Sequence, residues 1–299
     1  MVTSRAALGP LLLLFTTVPL AYSEQAPAPV IELVRQTVEN EIQSNNGGAK
    51  FMFRDRKETP HGSQTKLILE TTEGTAGMLV KKNDKPLTPE EREAEEGRLD
   101  WLVSNPIELR KKQKAEREDS DRTTRIMKAL PYAFIFQPDG EETARPGIGN
   151  PGDALIRLKF RPNPNYDPPT HTEQVLTGMS GYVLIDANKK RIAKIDGTLF
   201  KDVGFGWGIF GHLDRGGRFL VQQGTIEAND WEVTRMDLSF TGKILIFKKL
   251  SISSSECFTD FHSAPSNLTF AQGVELLKKH QAELAENHQQ SETANHEQR

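Results

Sequence analysis

The sequence opens with a short apolar stretch over residues 6–21, which follows a single cation, Arg5. A membrane anchor would need about 20 apolar residues to span a bilayer, and this stretch is shorter and contains Pro10 and Pro19. A short apolar run between a cation and small residues is typical of a secretory signal peptide. We therefore predict a signal peptide over residues 1–23 and a mature chain exported to the periplasm or the extracellular space.

The first amphipathic segment covers residues 30–43. Its apolar positions recur three and four residues apart, which is the spacing of one face of a helix. These positions are Val30, Leu33, Val34, Val38 and Ile42, with Thr37 on the same face. The Asn and Gly residues at 45–48 end the helix because they tolerate a left-handed backbone. We expect this helix to dock on another element through its apolar face.

Three runs with strand periodicity follow the helix. Their alternating apolar residues are Phe51 and Phe53, then Leu67 and Leu69, then Met78 and Val80. Side chains two residues apart in a strand share a face. The Glu-Gly pair at residues 73–74 is short enough for a hairpin. The pattern predicts an antiparallel sheet beside the first helix.

A densely charged segment covers residues 89–128. Thr88, Pro89 and Glu91 form the signature of a helix start, with an N-cap, a proline at the first position and a capping glutamate. Pro106 restarts the helix after residues 104–105. Because the apolar stripe is thin, we interpret the segment as a solvated helical insertion joined by ion pairs one turn apart. The alternative is a mobile lid or a partner-docking arm.

From residue 132 onward, apolar positions recur every second residue. Strand-like runs lie at 132–136, 156–160, 182–186, 191–200, 217–227, 231–240 and 244–252. Turns at 186–189 and 241–242 have hairpin length, and the proline-rich residues 162–169 predict a surface loop. With the first three runs, this gives about ten strands in an antiparallel meander. No strand–helix–strand alternation appears, which argues against doubly wound and barrel enzymes.

The chain ends with a helix and a polar tail. Residues 270–286 place Leu276, Leu277 and Leu284 on one side, whereas residues 287–299 lack apolar periodicity and are predicted to be disordered. The expected fold is a single α+β domain over residues 24–286 with the helical insertion at 89–128. Its large curved antiparallel sheet, a half-open barrel, would carry helices on the concave side.

Composition narrows the classes of function. Lys and Arg number 38 against 41 Asp and Glu, for a formal net charge of −3, which gives no reason to expect a nucleic-acid partner. Cys257 is the single cysteine and cannot form an internal disulfide. No apolar span remains after removal of the signal peptide, so we expect no integral membrane segment in the mature chain.

Residues 206–211 match the GxGxxG pattern of dinucleotide sites. That fingerprint needs a helix that opens at the last glycine, but strand-like runs flank this segment on both sides. We interpret the match as accidental. The segment reads instead as a flexible apolar loop that holds Phe205, Trp207 and Phe210. It is either a bend that tucks aromatic side chains into the core or an apolar lip at the mouth of a cavity.

The histidines give little support for catalysis. His171 lies two residues from Glu173, and Asp260 lies two residues from His262. Such pairs arise by chance in strands, where residues two apart share a face. No nucleophile elbow, HExxH motif or P-loop is present. An envelope hydrolase that uses His171 or His262 is therefore the weakest hypothesis, and we expect no enzymatic activity, no cofactor and no metal site.

The order of elements is similar to that of the lipoprotein-carrier superfamily of LolA, LolB and RseB. The likeness covers most of residues 30–262. Residues 181–186 and 191–197 resemble that superfamily's pair of strands joined by a turn, and residues 231–247 resemble a further hairpin. The resemblance implies a half-open, curved sheet around helices with a hydrophobic cavity for acyl chains. The insertion at 89–128 is longer than such carriers need.

The sheet and the apolar loop supply candidate cavity residues. They are Phe51, Phe53, Leu67, Leu69, Phe134, Ile156, Leu158, Phe160, Leu184, Phe205, Trp207, Phe210 and Leu238, with Arg157 as the polar candidate that the resemblance suggests. The leading hypothesis is an exported, non-enzymatic carrier or sensor that binds a lipid, an acyl chain or an acylated protein. The alternative is a cell-envelope interaction protein with a filled core, whose segment 89–128 binds another protein.

Overall fold

A computed structural model describes residues 28–47, 49–205, 211–226, 230–244 and 248–297. The predicted signal peptide lies outside these residues. The helices are α1 (Ala28–Gly47), α2 (Pro89–Ser104), α3 (Pro106–Ala133), α4 (His171–Gln174) and α5 (Phe270–Glu297). The strands are β1 (Lys50–Thr59), β2 (Gly62–Thr71), β3 (Gly74–Lys82), β4 (Lys85–Pro86), β5 (Phe134–Thr143), β6 (Ala154–Pro162), β7 (Met179–Asp186), β8 (Ile192–Leu199), β9 (Val203–Phe205), β10 (Gly211–Leu213), β11 (Arg218–Thr225), β12 (Trp231–Ile244) and β13 (Lys248–Ala264).

One antiparallel sheet organises these elements. Its strand order is β4-β3-β2-β1-β13-β12-β11-β8-β7-β6-β5, and β10 pairs with both β12 and β9. Within the described residues β4 and β5 do not pair with each other, so the sheet is open. The predicted α+β class and large antiparallel sheet are confirmed. The sheet has 13 strands, whereas the sequence predicted about ten. β4, β9 and β10 were missed because they are too short to show periodicity in the sequence.

The path of α3 shows that the sheet curves. Glu116, in its first half, accepts a hydrogen bond from the Thr75 amide at the start of β3 (3.2 Å). The helix then leads directly into Phe134, the first residue of β5. The helical residues between these points span about 27 Å, whereas the strands from β3 to β5 would span about 43 Å in a flat sheet. Both ends of the sheet therefore curve toward α3.

The two faces of the sheet carry different hydrophobic cores. Directly opposite residues share a face, which defines two rows of side chains. The inner row runs Val183, Ile195, Val221, Met236, Glu256 and Lys57. The outer row runs Leu184, Lys194, Gln222, Arg235, Cys257 and Arg56. We call these faces inner and outer. The inner face packs against α1 and the end of α3, and the outer face packs against α5 and α2.

The outer core lies on β2 and β3. Leu69, Leu99, Val274 and Leu277 are each fully buried there, and burying such a side chain stabilises a fold by about 1.5–3 kcal/mol. Leu99 belongs to α2. The charged segment therefore contributes directly to the core.

α2 also protects the edge of the sheet beside β3. The predicted capping box at Thr88 and Glu91 is present. Glu95, which is buried, accepts a hydrogen bond from the Leu79 amide (2.7 Å), and Arg98 donates to the Gly77 carbonyl oxygen (2.8 Å). Unpaired edge groups invite pairing with other chains. The segment is thus fixed to the sheet and does more than the solvated insertion that its charge pattern indicated.

Three boundaries differ from the sequence predictions. Tyr132 lies in the last turn of α3 and not in a strand, because Ala129 and Ala133 are both buried and keep the helical spacing up to β5. Gly242 lies inside β12 and not in a turn. Glycine is needed in this strand because a Cβ there would be 2.1 Å from the His212 carbonyl oxygen of β10. α5 continues to Glu297, since the Gln, Glu and Ala residues of the tail favour helix without an apolar stripe.

Candidate functional site

An apolar cavity lies between the inner face of the sheet and the helices α1, α3 and α4. Its volume is about 350 Å³, and small-molecule sites typically have about 300–1,000 Å³. Thr37 and Thr172 are the two polar residues in its wall. The others are Val34, Val38, Ile126, Met127, Leu130, Phe134, Phe136, Phe160, Val175, Leu176, Met179, Val183, Ile185, Ile192, Ile195, Phe219, Leu238 and Phe240.

One wall of the cavity is α1, held in place at its far end by a buried ion pair. Glu41 is 3% exposed and accepts hydrogen bonds from Arg191 Nε (2.8 Å) and from the Ile192 amide (2.7 Å). Asn40 Nδ2 adds a bond to the Lys190 carbonyl oxygen (3.1 Å). Breaking a buried pair by removing one partner is strongly destabilising. These contacts therefore fix the C-terminal half of α1, next to Val38 in the cavity wall.

The opposite wall comes from the end of α3 and from α4. Ile126, Met127 and Leu130 face the cavity from α3. Thr170 caps α4, since its hydroxyl accepts from the Glu173 amide (3.4 Å) and donates to Glu173 Oε2 (2.8 Å). The Thr170 hydroxyl therefore satisfies the buried carboxylate of Glu173, which is not part of the cavity wall.

The cavity wall contains no ionisable side chain, so its chemistry is that of a hydrocarbon site. Thr37 is 1% exposed, and its Oγ1 has no hydrogen-bond partner within the described residues. An apolar cavity of this kind stays dry because water needs two to four polar partners. Transfer of a hydrocarbon chain into it gains about 0.8 kcal/mol per buried methylene.

Carboxylates gather beside the anchored end of α1. Burial raises the pKa of Glu232 to about 7, with a further contribution from the negative charge of Glu70 and an opposing one from Arg191. Burial also raises the pKa of Glu70, whose Oε2 accepts a hydrogen bond from the Phe51 amide (3.1 Å). The charge at this end of the helix therefore changes near neutral pH.

The structure brings several of the predicted residues together at the cavity. Phe134, Phe160 and Leu238 are part of its wall. Leu158 is buried in the same core, and Ile156 and Phe205 pack against that core. Trp207 and Phe210 lie outside the described residues, so the two interpretations of the loop at 206–210 both stay open.

The remaining apolar candidates lie away from the cavity. Leu67 and Leu69 are on the outer face under α5, and Leu184 is in a small outer core with Trp231. Phe51 and Phe53 are on the inner face, where they form an aromatic cluster with rings of β13. Alternation puts successive residues on opposite faces, and the sequence did not show which face of each strand carried the cavity.

Arg157, the polar candidate, lies on the outer face. It is paired across strands with Leu184, and its guanidinium stacks 3.7 Å from the centroid of the Tyr182 ring. Its Nε donates to Asp139 Oδ2 (2.9 Å), and its Nη1 donates to Glu142 Oε1 (2.5 Å). This arginine belongs to a surface ion network on the side of the sheet away from the cavity.

Sequence reasoning missed the helical half of the cavity wall. The apolar spacing of α1 predicted a docking face that contains Val34, Thr37 and Val38, but it gave no sign that a void lies beneath them. Ile126 and Leu130 were hidden in the charged segment and just beyond it. Their four-residue spacing is the signal that could have identified them.

The two histidines of the hydrolase hypothesis are exposed on separate elements. His171 Nδ1 lies 3.4 Å from Gln174 Oε1 in α4. His262 is on β13 near Asp260, whose carboxylate is bound to Arg54 (2.9 Å). In the part of the chain that the structure describes, no group of three or more His, Cys, Asp or Glu residues is arranged to hold a metal ion.

Comparisons with known proteins assign no family to this chain. No family model matches it, and no curated protein matches it either. Across residues 28–297, outside the short undescribed gaps, no helix has both the length and the apolar composition of a membrane span.

Proposed function

We propose that this protein is an exported, non-enzymatic carrier or sensor that binds a lipid, an acyl chain or an acylated protein in the inner cavity. The observation that carries the proposal is the cavity itself, whose wall has 18 apolar residues and two threonines. A filled core would leave no such void, because protein interiors are close-packed. The absence of ionisable groups in the wall favours passive binding over chemistry.

The proposed mechanism is a shift between closed and open forms. A chain enters between α1 and the sheet, and it is released when a partner binds the open form better than the closed one. The pair of Glu41 and Arg191 holds the C-terminal half of α1, so opening would move the N-terminal half, which carries Val34 in the cavity wall.

The test is native mass spectrometry with lipid extraction on the mature chain purified from an exporting host. A cavity-filling variant, Val183→Phe, is expected to lose at least tenfold in affinity for a fluorescent fatty acid. The matched control is Leu220→Phe, because Leu220 lies on the outer face of β11. The proposal fails if the protein carries no acylated species and the wild-type chain does not bind the fatty acid.

A second candidate function, protein interaction through segment 89–128, has one observation in its favour. Trp101 at 52% and Ile107 at 59% exposure flank the elbow between α2 and α3. Deleting the segment would also remove Leu99 from the outer core, so point variants test this idea better. Loss of a captured partner in Trp101→Ser with Ile107→Ser, with no lipid bound to the wild type, would favour interaction over lipid binding.

A further inference from the structure

Beside the cavity, two long strands of the sheet extend beyond their neighbour. β12 and β13 continue past the point where β11 begins, and there β10 takes the place of β11 as the neighbour of β12. β9 pairs in turn with β10. We call this part of the molecule the cationic arm and define it as residues 200–205, 211–216, 240–244 and 248–252.

The charge of the cationic arm is opposite in sign to that of the whole chain. The arm contains five Lys and Arg residues and two Asp residues, for a formal charge of +3, whereas the chain carries −3. The segments 206–210 and 245–247, which connect its strands, contain no charged residue and do not alter this balance. Charge of one sign gathered on one part of a surface attracts a partner of the opposite sign.

The two carboxylates of the arm are occupied by groups other than its lysines. Asp214 Oδ1 lies 3.1 Å from His212 Nε2, and Asp214 Oδ2 accepts a hydrogen bond from the Thr241 hydroxyl (2.7 Å). Asp202 Oδ1 accepts a hydrogen bond from the Arg215 amide (2.7 Å). Within the described residues, neither carboxylate forms an ion pair with a lysine of the arm.

Two of these lysines are directly opposite each other. Lys243 on β12 pairs across strands with Lys249 on β13, and both are exposed. The adjacent Gly242 is opposite Leu213, which packs against the inner core, so alternation puts the two lysines on the outer face. Like charges in directly opposite positions destabilise a strand pair. An external anion bound between them would remove this repulsion.

The inner face of the arm is apolar and continuous with the cavity. Phe240 is part of the cavity wall. Ile252 is directly opposite it on β13 and is 40% exposed. Three residues along β12 separate Phe240 from Lys243, a distance of about 10 Å. The exposed lysines therefore lie close to the apolar surface that leads into the cavity.

We propose that the cationic arm docks the protein on an anionic lipid bilayer, with Lys243 and Lys249 against the phosphates of the headgroups. Exposed apolar side chains accompany the cations, namely Ile252 and Phe200, which is 50% exposed and has Lys201 Nζ 5.8 Å from its ring centroid. Binding at a bilayer surface combines burial of apolar area with attraction to anionic lipids. Exchange of a lipid chain at this surface rests on the proposed function.

Vesicle co-sedimentation of the mature chain tests the docking surface. We expect about tenfold stronger binding to phosphatidylcholine vesicles containing one-third phosphatidylglycerol than to pure phosphatidylcholine vesicles. Raising the ionic strength from about 0.1 M to about 1 M, which shortens the Debye length from about 10 Å to about 3 Å, should release the protein. Lys243→Gln with Lys249→Gln should weaken binding to the anionic vesicles about tenfold or more, since each lysine near such a surface contributes about fivefold.

Two control pairs make the test specific. Lys85→Gln with Lys111→Gln removes the same charge from exposed residues on β4 and in the first half of α3, and this pair should bind within about twofold of wild type. Lys243→Arg with Lys249→Arg keeps the charge and should keep the binding.

Three outcomes would overturn the docking surface. They are equal binding of wild type to anionic and neutral vesicles, unchanged binding of the double Gln variant of the arm, and displacement from vesicles by soluble glycerol phosphate at constant ionic strength. The last would make the arm a site for small anions.

Fatty-acid binding in solution tests the proposed function separately. Wild type and the double Gln variant should bind the fluorescent fatty acid equally, because neither lysine is part of the cavity wall. Vesicle binding by a wild-type chain that does not bind the fatty acid would overturn the proposed function and leave the docking surface in place.

Discussion

Glu232 is a single residue whose charge makes the stability of the fold depend on pH. Its pKa in the folded chain is about 7, above the ordinary value of 4.5. A raised carboxyl pKa means that the folded state holds the proton more tightly, so this contribution is complete below pH 4.5 and is lost as pH rises through 7. Glu232→Gln should therefore be more stable than wild type at pH 8, by about 1–3 kcal/mol.

Urea unfolding at pH 5 and pH 8 measures this difference. Glu141→Gln is the control, since Glu141 is exposed on β5, and it should follow the wild-type curve. Parallel pH curves for wild type and Glu232→Gln would show that Glu232 titrates alike in the folded and unfolded chains.

Substitution by alanine should change the stability of the fold in opposite directions at two glycines, Gly242 and Gly97. At Gly242 an added Cβ would be 2.1 Å from the His212 carbonyl oxygen, whereas at Gly97, inside α2, nothing lies within 4 Å. Gly242→Ala should cost about 1–3 kcal/mol because the backbone of β10 must shift. Gly97→Ala should gain about 0.5–1 kcal/mol from helix propensity. Urea unfolding checks both, and a shift of both variants in the same direction would contradict the assignment of Gly242.

At the scale of elements, the charged segment is both core and surface. Leu99 is fully buried, whereas Trp101 in the same helix is 52% exposed. Leu99→Ala should destabilise the protein by about 2–5 kcal/mol, and Trp101→Ala by about 1 kcal/mol or less. Thermal and urea unfolding distinguish the two. Similar small losses would mean that α2 is dispensable for the fold.

The elements that the sequence predicted well are those with local signals. The capping box at Thr88 and the alternation in β2 and β3 are set by neighbours in sequence, and both are present. The predicted turn at Gly242 was wrong because glycine is typical both of turns and of close approaches between strands. The difference depends on β10, a strand of three residues that leaves no periodic signal.

At the scale of the whole molecule, alternation limits what the sequence reveals about the cavity. Phe160 and Leu184 read alike as buried strand residues, but they lie on opposite faces. The face that each residue occupies follows from the register of the strands across the sheet, which no local pattern specifies. The void between α1 and the sheet depends on the same long-range packing.

Because the two faces carry separate cores, the stability losses from mutations in the two cores should add. Ile185 lies in the inner core and Val274 in the outer core, and these cores share no residue. Ile185→Val should cost about 0.5–1.5 kcal/mol and Val274→Ala about 1–3 kcal/mol. Distant sites without shared partners add within about 0.5 kcal/mol, so the double variant should lose the sum of the two. Urea unfolding of the four chains measures the coupling. A coupling above about 1 kcal/mol would mean that the sheet transmits strain between its faces, and opening the inner cavity would then also loosen α5.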